Sequence, residues 1–149
     1  MKKHLRFFLP LDNIPKGTAQ QKGYNHYTRK YYQKRTVSDA EKVYALYLKN
    51  TRPEEPMTGA IELDLIFYFP ANKPHKNGQA KVTRSDVDNL AKLPIDIMTR
   101  LGYWNDDSQI FDLRIAKFYA DQPGLEVVIS EYDTKKLFEG RVSNDSKIL

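Results

Sequence analysis

With 149 residues, 40% hydrophobic and 29% charged, the chain is long enough for one domain with its own core and has the composition of an ordinary soluble globular protein. It contains no cysteine, which excludes disulfides, zinc–thiolate centres and thiol nucleophiles. Its net charge of +5 is unevenly spread: nine Lys or Arg stand against Asp12 alone in residues 1–35, and Lys73, Lys76, Lys81 and Arg84 stand against no acid in residues 71–84. Segments of this kind suit a polyanion, because neutralised phosphates release counterions; a basic surface kept for solubility is the alternative.

The opening "MKKHLRFFLPLDN" begins like a secretory signal, but its apolar run is too short and is interrupted by Pro10 and Asp12. No stretch approaches membrane-spanning length, so a cytoplasmic location and no membrane partner are expected. Leu5 to Leu9 predicts a strand ended by Pro10. Residues 11–36 have no clean period and are expected to form a long loop. Within it, "KGYNHYTRKYYQKR" interleaves tyrosines with positive charge, a composition that can stack on bases while holding phosphates, or can pack the rings on a sheet edge. Candidate nucleic-acid contacts are Lys22, Tyr27, Arg29 and Lys30 here, and Lys73, Lys76, Lys81 and Arg84 in the second basic segment.

Ser38 with Glu41 is a capping-box pattern, predicting a helix to about Asn50 with Ala40, Val43, Tyr44 and Tyr47 on one side. Strict alternation of Ile61, Leu63, Leu65, Phe67 and Phe69 predicts a strand over residues 60–69. Residues 71–84 read as a mobile basic loop. A second helix is expected from Ser85 or Asp86, with Val87, Leu90, Ala91, Pro94, Ile97, Met98 and Leu101 facing the sheet, a kink or break at Pro94 and closure at Gly102. Two strands, Gln109–Tyr119 and Leu125–Tyr132, follow around Pro123 and Gly124. Residues 1–133 are thus expected to form a single domain, and 134–149 a polar tail with one helical turn near Leu137 and Phe138. The order is β-α-β-α-β-β.

The acids concentrate in "RSDVDNL" and "WNDDSQI". Asp86 and Asp88 at a helix start complement the macrodipole, and Asp106 with Asp107 suit a turn, so each cluster has a structural explanation when taken alone. A helix of about sixteen residues spans roughly 24 Å, so the helix itself cannot return Asp107 to Asp86. A strand following Asp107 and lying beside the strand of residues 60–69 could do so; spacing alone leaves this open. Asp88, Lys92, Asp96 and Arg100 likewise form an i, i+4 ladder of alternating charge, the pattern of a solvated stripe. "DVDNLA" begins like a calcium loop but has Leu90 and Ala91 where a ligand and a glycine are needed. His4, His26 and His75 are not at metal-ligand spacing.

The stretch "RSDVDNLAKLPIDIMTRLGYWNDDSQI" resembles the signature of the RusA family of Holliday junction resolvases, Asp-x-Asp-Asn-x-x-Lys, then Asp, then Asp-Asp-x-Gln. It matches at Asp86, Asp88, Asn89, Lys92, Asp96, Asp106, Asp107 and Gln109. The resemblance implies an α+β fold with a small mixed four-stranded sheet and two main helices. It implies a homodimeric endonuclease, dependent on Mg²⁺ with Mn²⁺ as a substitute, that resolves four-way junction DNA by paired symmetric nicks in recombination and repair, in a family common in prophages. Asp86, Asp88 and Asp107 would bind the metal, Lys92 would be the catalytic lysine, and Asn89, Asp96, Asp106 and Gln109 would support them. Part of "LIFYF" is the expected dimer face. The rival readings are a non-catalytic basic DNA-binding module and a nuclease of other branched nucleic acids.

Overall fold

The structure, a computed structural model, describes residues 2–15, 22–33 and 35–135. Along the chain run β1 (Lys3–Pro10), β2 (Lys22–Asn25), β3 (Lys30–Gln33), α1 (Arg35–Thr51), β4 (Ala60–Pro70), α2 (Val87–Leu101), a single 3-10 turn (Asp107–Gln109), β5 (Ile110–Ala120) and β6 (Gly124–Tyr132). Four strands form one mixed sheet in the order β1-β6-β4-β5. The β4–β5 pair is parallel, and the other two pairings are antiparallel. The main elements follow the expected β-α-β-α-β-β order, and the fold is α+β.

The period-2 pattern of β4 sets the core. Ile61, Leu63, Leu65 and Phe67 are fully buried and Phe69 nearly so, each such side chain contributing about 1.5–3 kcal/mol by leaving water. Leu125, Val127 and Ile129 of β6 meet them in register. Leu65, Phe67 and Phe69 of "LIFYF" belong to the core, which leaves Ile66 and Tyr68 on the opposite side as the part of it that a dimer face could use. The alternation of the strand decides this.

Four local expectations change. The helix α1 starts at Arg35, so Ser38 lies in its first turn and does not cap it. Nothing in Arg35–Val37 breaks a helix, and the extra turn adds backbone hydrogen bonds. Its buried stripe is Ala40, Tyr44 and Leu48, at i, i+4, i+8, while Val43 is 37% exposed. Part of the expected loop 11–36 is a hairpin of β2 and β3: Asn25 Oδ1 accepts from the Tyr27 and Thr28 amides, reversing the chain between two Tyr-rich, β-prone segments. Third, α2 runs unbroken through Pro94, whose ring is buried on the core face with Leu90, Leu93, Ile97 and Met98. That burial offsets part of the roughly 3 kcal/mol that a proline costs inside a helix.

Fourth, the basic segment after β4 is strapped to the edge of the sheet. Gly78 N donates to Tyr119 O, Tyr119 N to Gln79 O, and Lys81 N to Lys117 O, at 2.8–3.0 Å. An edge strand has free backbone groups, and this segment occupies those of β5. Among the described residues no helix is long and apolar enough to cross a membrane. The expected turn at Leu137 and Phe138 lies outside the described residues.

Candidate active site

The connection β4–α2–β5 brings one acid of each cluster, Asp88 and Asp107, to one groove, which Asp86 and Asp106 do not line. Because β5 lies parallel to β4, α2 must run back along the sheet, laying one of its faces against β5. Asp86 occupies the N-cap position with extended backbone angles (φ −69°, ψ 141°), yet its side chain makes no capping hydrogen bond. Its carboxylate therefore stands exposed at the positive end of the helix dipole. Asp88 follows in the first turn, with Lys92 and Asp96 at successive i+4 positions. These three side chains, with Ala91 and Ile95, face Leu113 and Ile115 of β5 across a groove of about 280 Å³, and Asp107 lines the same groove. The alternating stripe thus borders a concavity. Asn89 is exposed at the helix start.

At the other end, packing fixes the turn that presents Asp107. Gly102 ends α2 in the left-handed region (φ 85°), which a side chain would strain. Tyr103 and Trp104 are then fully buried; the Tyr103 hydroxyl donates to Leu48 O at 2.6 Å, and the Trp104 indole donates to Thr99 Oγ1 at 2.8 Å. Burial pushes the Tyr103 phenol up to about 12. Asp106 caps the 3-10 turn, accepting from Ser108 N at 2.8 Å, which lowers its pKa. Gln109 is fully engaged. Its Oε1 accepts from the Asn105 and Asp106 amides, and its Nε2 donates to Met57 O and Gly59 O, all at 2.8–3.0 Å. This one side chain ties the Asp107 turn to the start of β4. Asp107 is left exposed between the two residues so occupied.

The charges in the groove sense one another. Partial burial and then the neighbouring Asp107 raise the pKa of Asp96, while Arg100 and Lys92 counteract them. A second hollow of about 520 Å³ adjoins, lined by Asp96, Asp106 and Asp107 with Glu41, Thr99, Arg100 and Asn105. The donors to a cation in the groove are carboxylate oxygens, with no imidazole among its lining residues, which fits a hard divalent ion. Among the described residues, however, no three His, Cys, Asp or Glu side chains stand close enough together to hold one ion. Asp88 and Asp107 share the groove without converging with a third acid on one point.

The profile described as "Endodeoxyribonuclease RusA" matches residues 12–130. A crossover junction endodeoxyribonuclease rusA from Lactococcus phage r1t is 33% identical over 129 residues, covering 84% of this chain and 96% of its own length. The chain belongs to the RusA family of endodeoxyribonucleases. It is also similar to the uncharacterized protein YqaN of Bacillus subtilis, 37% identical over 98 residues (58% of this chain, 68% of that one). To the RusA of Escherichia coli K12 it is 43% identical, but over 49 residues, 32% of this chain and 41% of that one.

The residues expected to contact DNA fall into two groups. Tyr27 stands at the hairpin tip and is 99% exposed, with Arg29 and Lys30 exposed beside it. The Lys22 side chain lies outside the described ones. Lys73, Lys76 and Arg84 are exposed on the strap. Lys81 is tucked in: its ammonium lies 4.9 Å from the centre of the Phe69 ring and donates to Thr83 Oγ1 at 2.7 Å. Sequence reasoning missed Lys117, which reaches the backbone just before Asp86. A signal was there: Lys117 shares the inward face of its strand with Leu113, Ile115 and Tyr119, where the alternation calls for an apolar side chain.

Proposed function

We propose that the protein is a Mg²⁺-dependent Holliday junction resolvase, cutting four-way junction DNA by paired symmetric nicks, with Asp86, Asp88 and Asp107 holding the metal and Lys92 beside them. The observation that carries this reading is the single groove in which Asp88, Lys92 and Asp107 meet in a RusA-family fold. Mg²⁺ commonly uses one or two protein carboxylates, completing its shell with water and substrate phosphate, so three converging acids are not required of the free protein. Bound there, Mg²⁺ would supply Lewis acidity at the phosphoryl oxygens.

The chain's own residues do the rest. Lys92, one turn after Asp88 and on the same face, places its ammonium where the phosphate charge grows during displacement. Leu113 and Ile115 form the apolar wall opposite and exclude water from one side of the groove. The exposed Lys73, Lys76 and Arg84, and Tyr27 with Arg29 and Lys30, hold DNA backbone around it. A four-way junction has two-fold symmetry, and a homodimer supplies two equivalent grooves for two nicks. Residues 1–133 then constitute the nuclease domain and 134–149 a tail.

The test is one assay on synthetic four-way, forked and linear duplex DNA, with and without Mg²⁺ or Mn²⁺. Paired nicks in the four-way substrate alone, and only with metal, are expected. Binding without cleavage would replace this reading with a DNA-binding module; equal cleavage of forks would replace it with a broader branched-DNA nuclease.

A further inference from the structure

Asp86 makes no cap hydrogen bond of its own, so what sets its position is the backbone on either side. On the helix side, Leu90 N donates to Asp86 O at 3.1 Å. On the other side stands Lys117, in β5, in register with Phe67 of β4. Its ammonium donates to Thr83 O at 2.6 Å and to Ser85 O at 2.7 Å, the carbonyls two residues apart that lead into Asp86. Both are charge-assisted bonds, shorter and stronger than neutral ones. A shorter side chain on the sheet could not reach the strap, and a neutral donor would hold it less firmly. Lys81 braces the same point from within the strap by donating to Thr83 Oγ1.

We propose that Lys117 is a positioning residue for the start of α2, clamping the Thr83 and Ser85 carbonyls so that Asp86 and Asp88 stand at a fixed height above β5. It mirrors Gln109, which holds the turn bearing Asp107. One clamp fixes each acid-bearing segment to the sheet, and the two together set the spacing between the acids. This deepens the metal-dependent reading above and rests on it for its functional consequence; the clamp itself does not.

The experiment compares the wild-type protein with Lys117→Met, which keeps the aliphatic stem, and with Lys117→Arg, whose fork can still donate to both carbonyls. Amide hydrogen exchange over residues 83–88 and calorimetric binding of Mn²⁺ are measured on the whole chain. In Lys117→Met, exchange over 83–88 quickens while β4 and β6 stay protected, and Mn²⁺ binding weakens about ten- to a hundred-fold, the usual effect of losing a group that orients metal ligands. Lys117→Arg lies between the two, and metal-free junction binding by both variants matches the wild type. Unchanged exchange over 83–88 overturns the clamp, and so does unchanged Mn²⁺ affinity in a variant whose exchange has quickened. Should Lys117→Met fail to fold, Lys117→Arg decides on the same two measurements. A wild-type protein that binds no Mn²⁺ would instead sink the metal-site reading, while the exchange comparison would still judge the clamp.

Discussion

Two aspartates, Asp86 and Asp106, each stand at the N-cap of a helical segment with extended backbone angles, and each has a further acid within the next two residues. In the sequence they are the same feature. Their hydrogen bonds separate them: Asp106 accepts from Ser108 N and shares a full capping box with Gln109, while Asp86 accepts nothing from its own helix. An acid engaged by local structure has its orientation fixed by that structure and fewer lone pairs for a ligand. An acid at a helix start with no such bond keeps them all, in a place where the dipole stabilises its charge. The difference explains how adjacent acids can take unlike roles, since Asp107 beside the occupied Asp106 is exposed to the groove.

Substitution sharpens this contrast most. Asp86→Asn and Asp107→Asn are expected to lower the junction cleavage rate by about two to three powers of ten, the scale of losing metal-derived charge stabilisation, with junction binding retained. Asp106→Asn, which keeps a capping oxygen, is expected to cleave nearly as the wild type. Equal losses in all three would erase the distinction. Asp106→Ala instead lowers the melting temperature. Its capping contribution follows the lowered pKa: present above the unfolded-state pKa, it is lost as pH falls through the folded-state value, so the difference from wild type narrows in acid.

Lys92→Met comes next, with an expected loss of about a hundred-fold in cleavage and none in stability, since its ammonium faces the groove and not the core. A stripe kept only for solvation would leave the rate untouched. Lower still are Lys73→Ala and Lys76→Ala, read as the slope of junction affinity against salt. Each removed phosphate contact flattens that slope by about one. Lys81→Ala tests the comparison within the strap: its ammonium is engaged with Thr83 and the Phe69 ring, so the slope should hold while the strap loosens.

Much of this was legible in the chain. The alternation in β4 announced the core and Gly102 announced the end of α2, whereas the spacing of the acids left open whether they share a groove. What was hidden depended on contacts distant in sequence. Ser38 and Glu41 satisfy a capping pattern, yet the helix starts at Arg35, because a local pattern does not forbid an extra turn. Pro94 looked like a breaker, but a buried ring can offset a missing hydrogen bond, and burial is tertiary. The strap looked loose because its bonds run to β5 more than thirty residues away, and Lys117 acts through those same pairings.

Asp96 offers the subtlest contrast, since it shares the groove with Asp88 and Asp107 but is half-buried where they are exposed. Desolvation, and then Asp107, raise its pKa above the ordinary 3.8. A carboxyl that binds its proton more tightly in the folded protein than in the unfolded one weakens the fold once ionised: the penalty is absent below the unfolded-state pKa and fully present above the raised one. In metal-free buffer Asp96→Asn should therefore raise stability at neutral pH by less than about 1 kcal/mol, solvent screening keeping the gain small. The gain should vanish as the buffer is taken below pH 3.8. Adding Mg²⁺ reverses the comparison if the ion seats nearby, because a cation removes the repulsion from Asp107 that the substitution was relieving. Thermal melts of both proteins, with EDTA and with Mg²⁺, measure this directly; a gain that ignores pH and metal alike would mean that Asp96 answers only to its own packing.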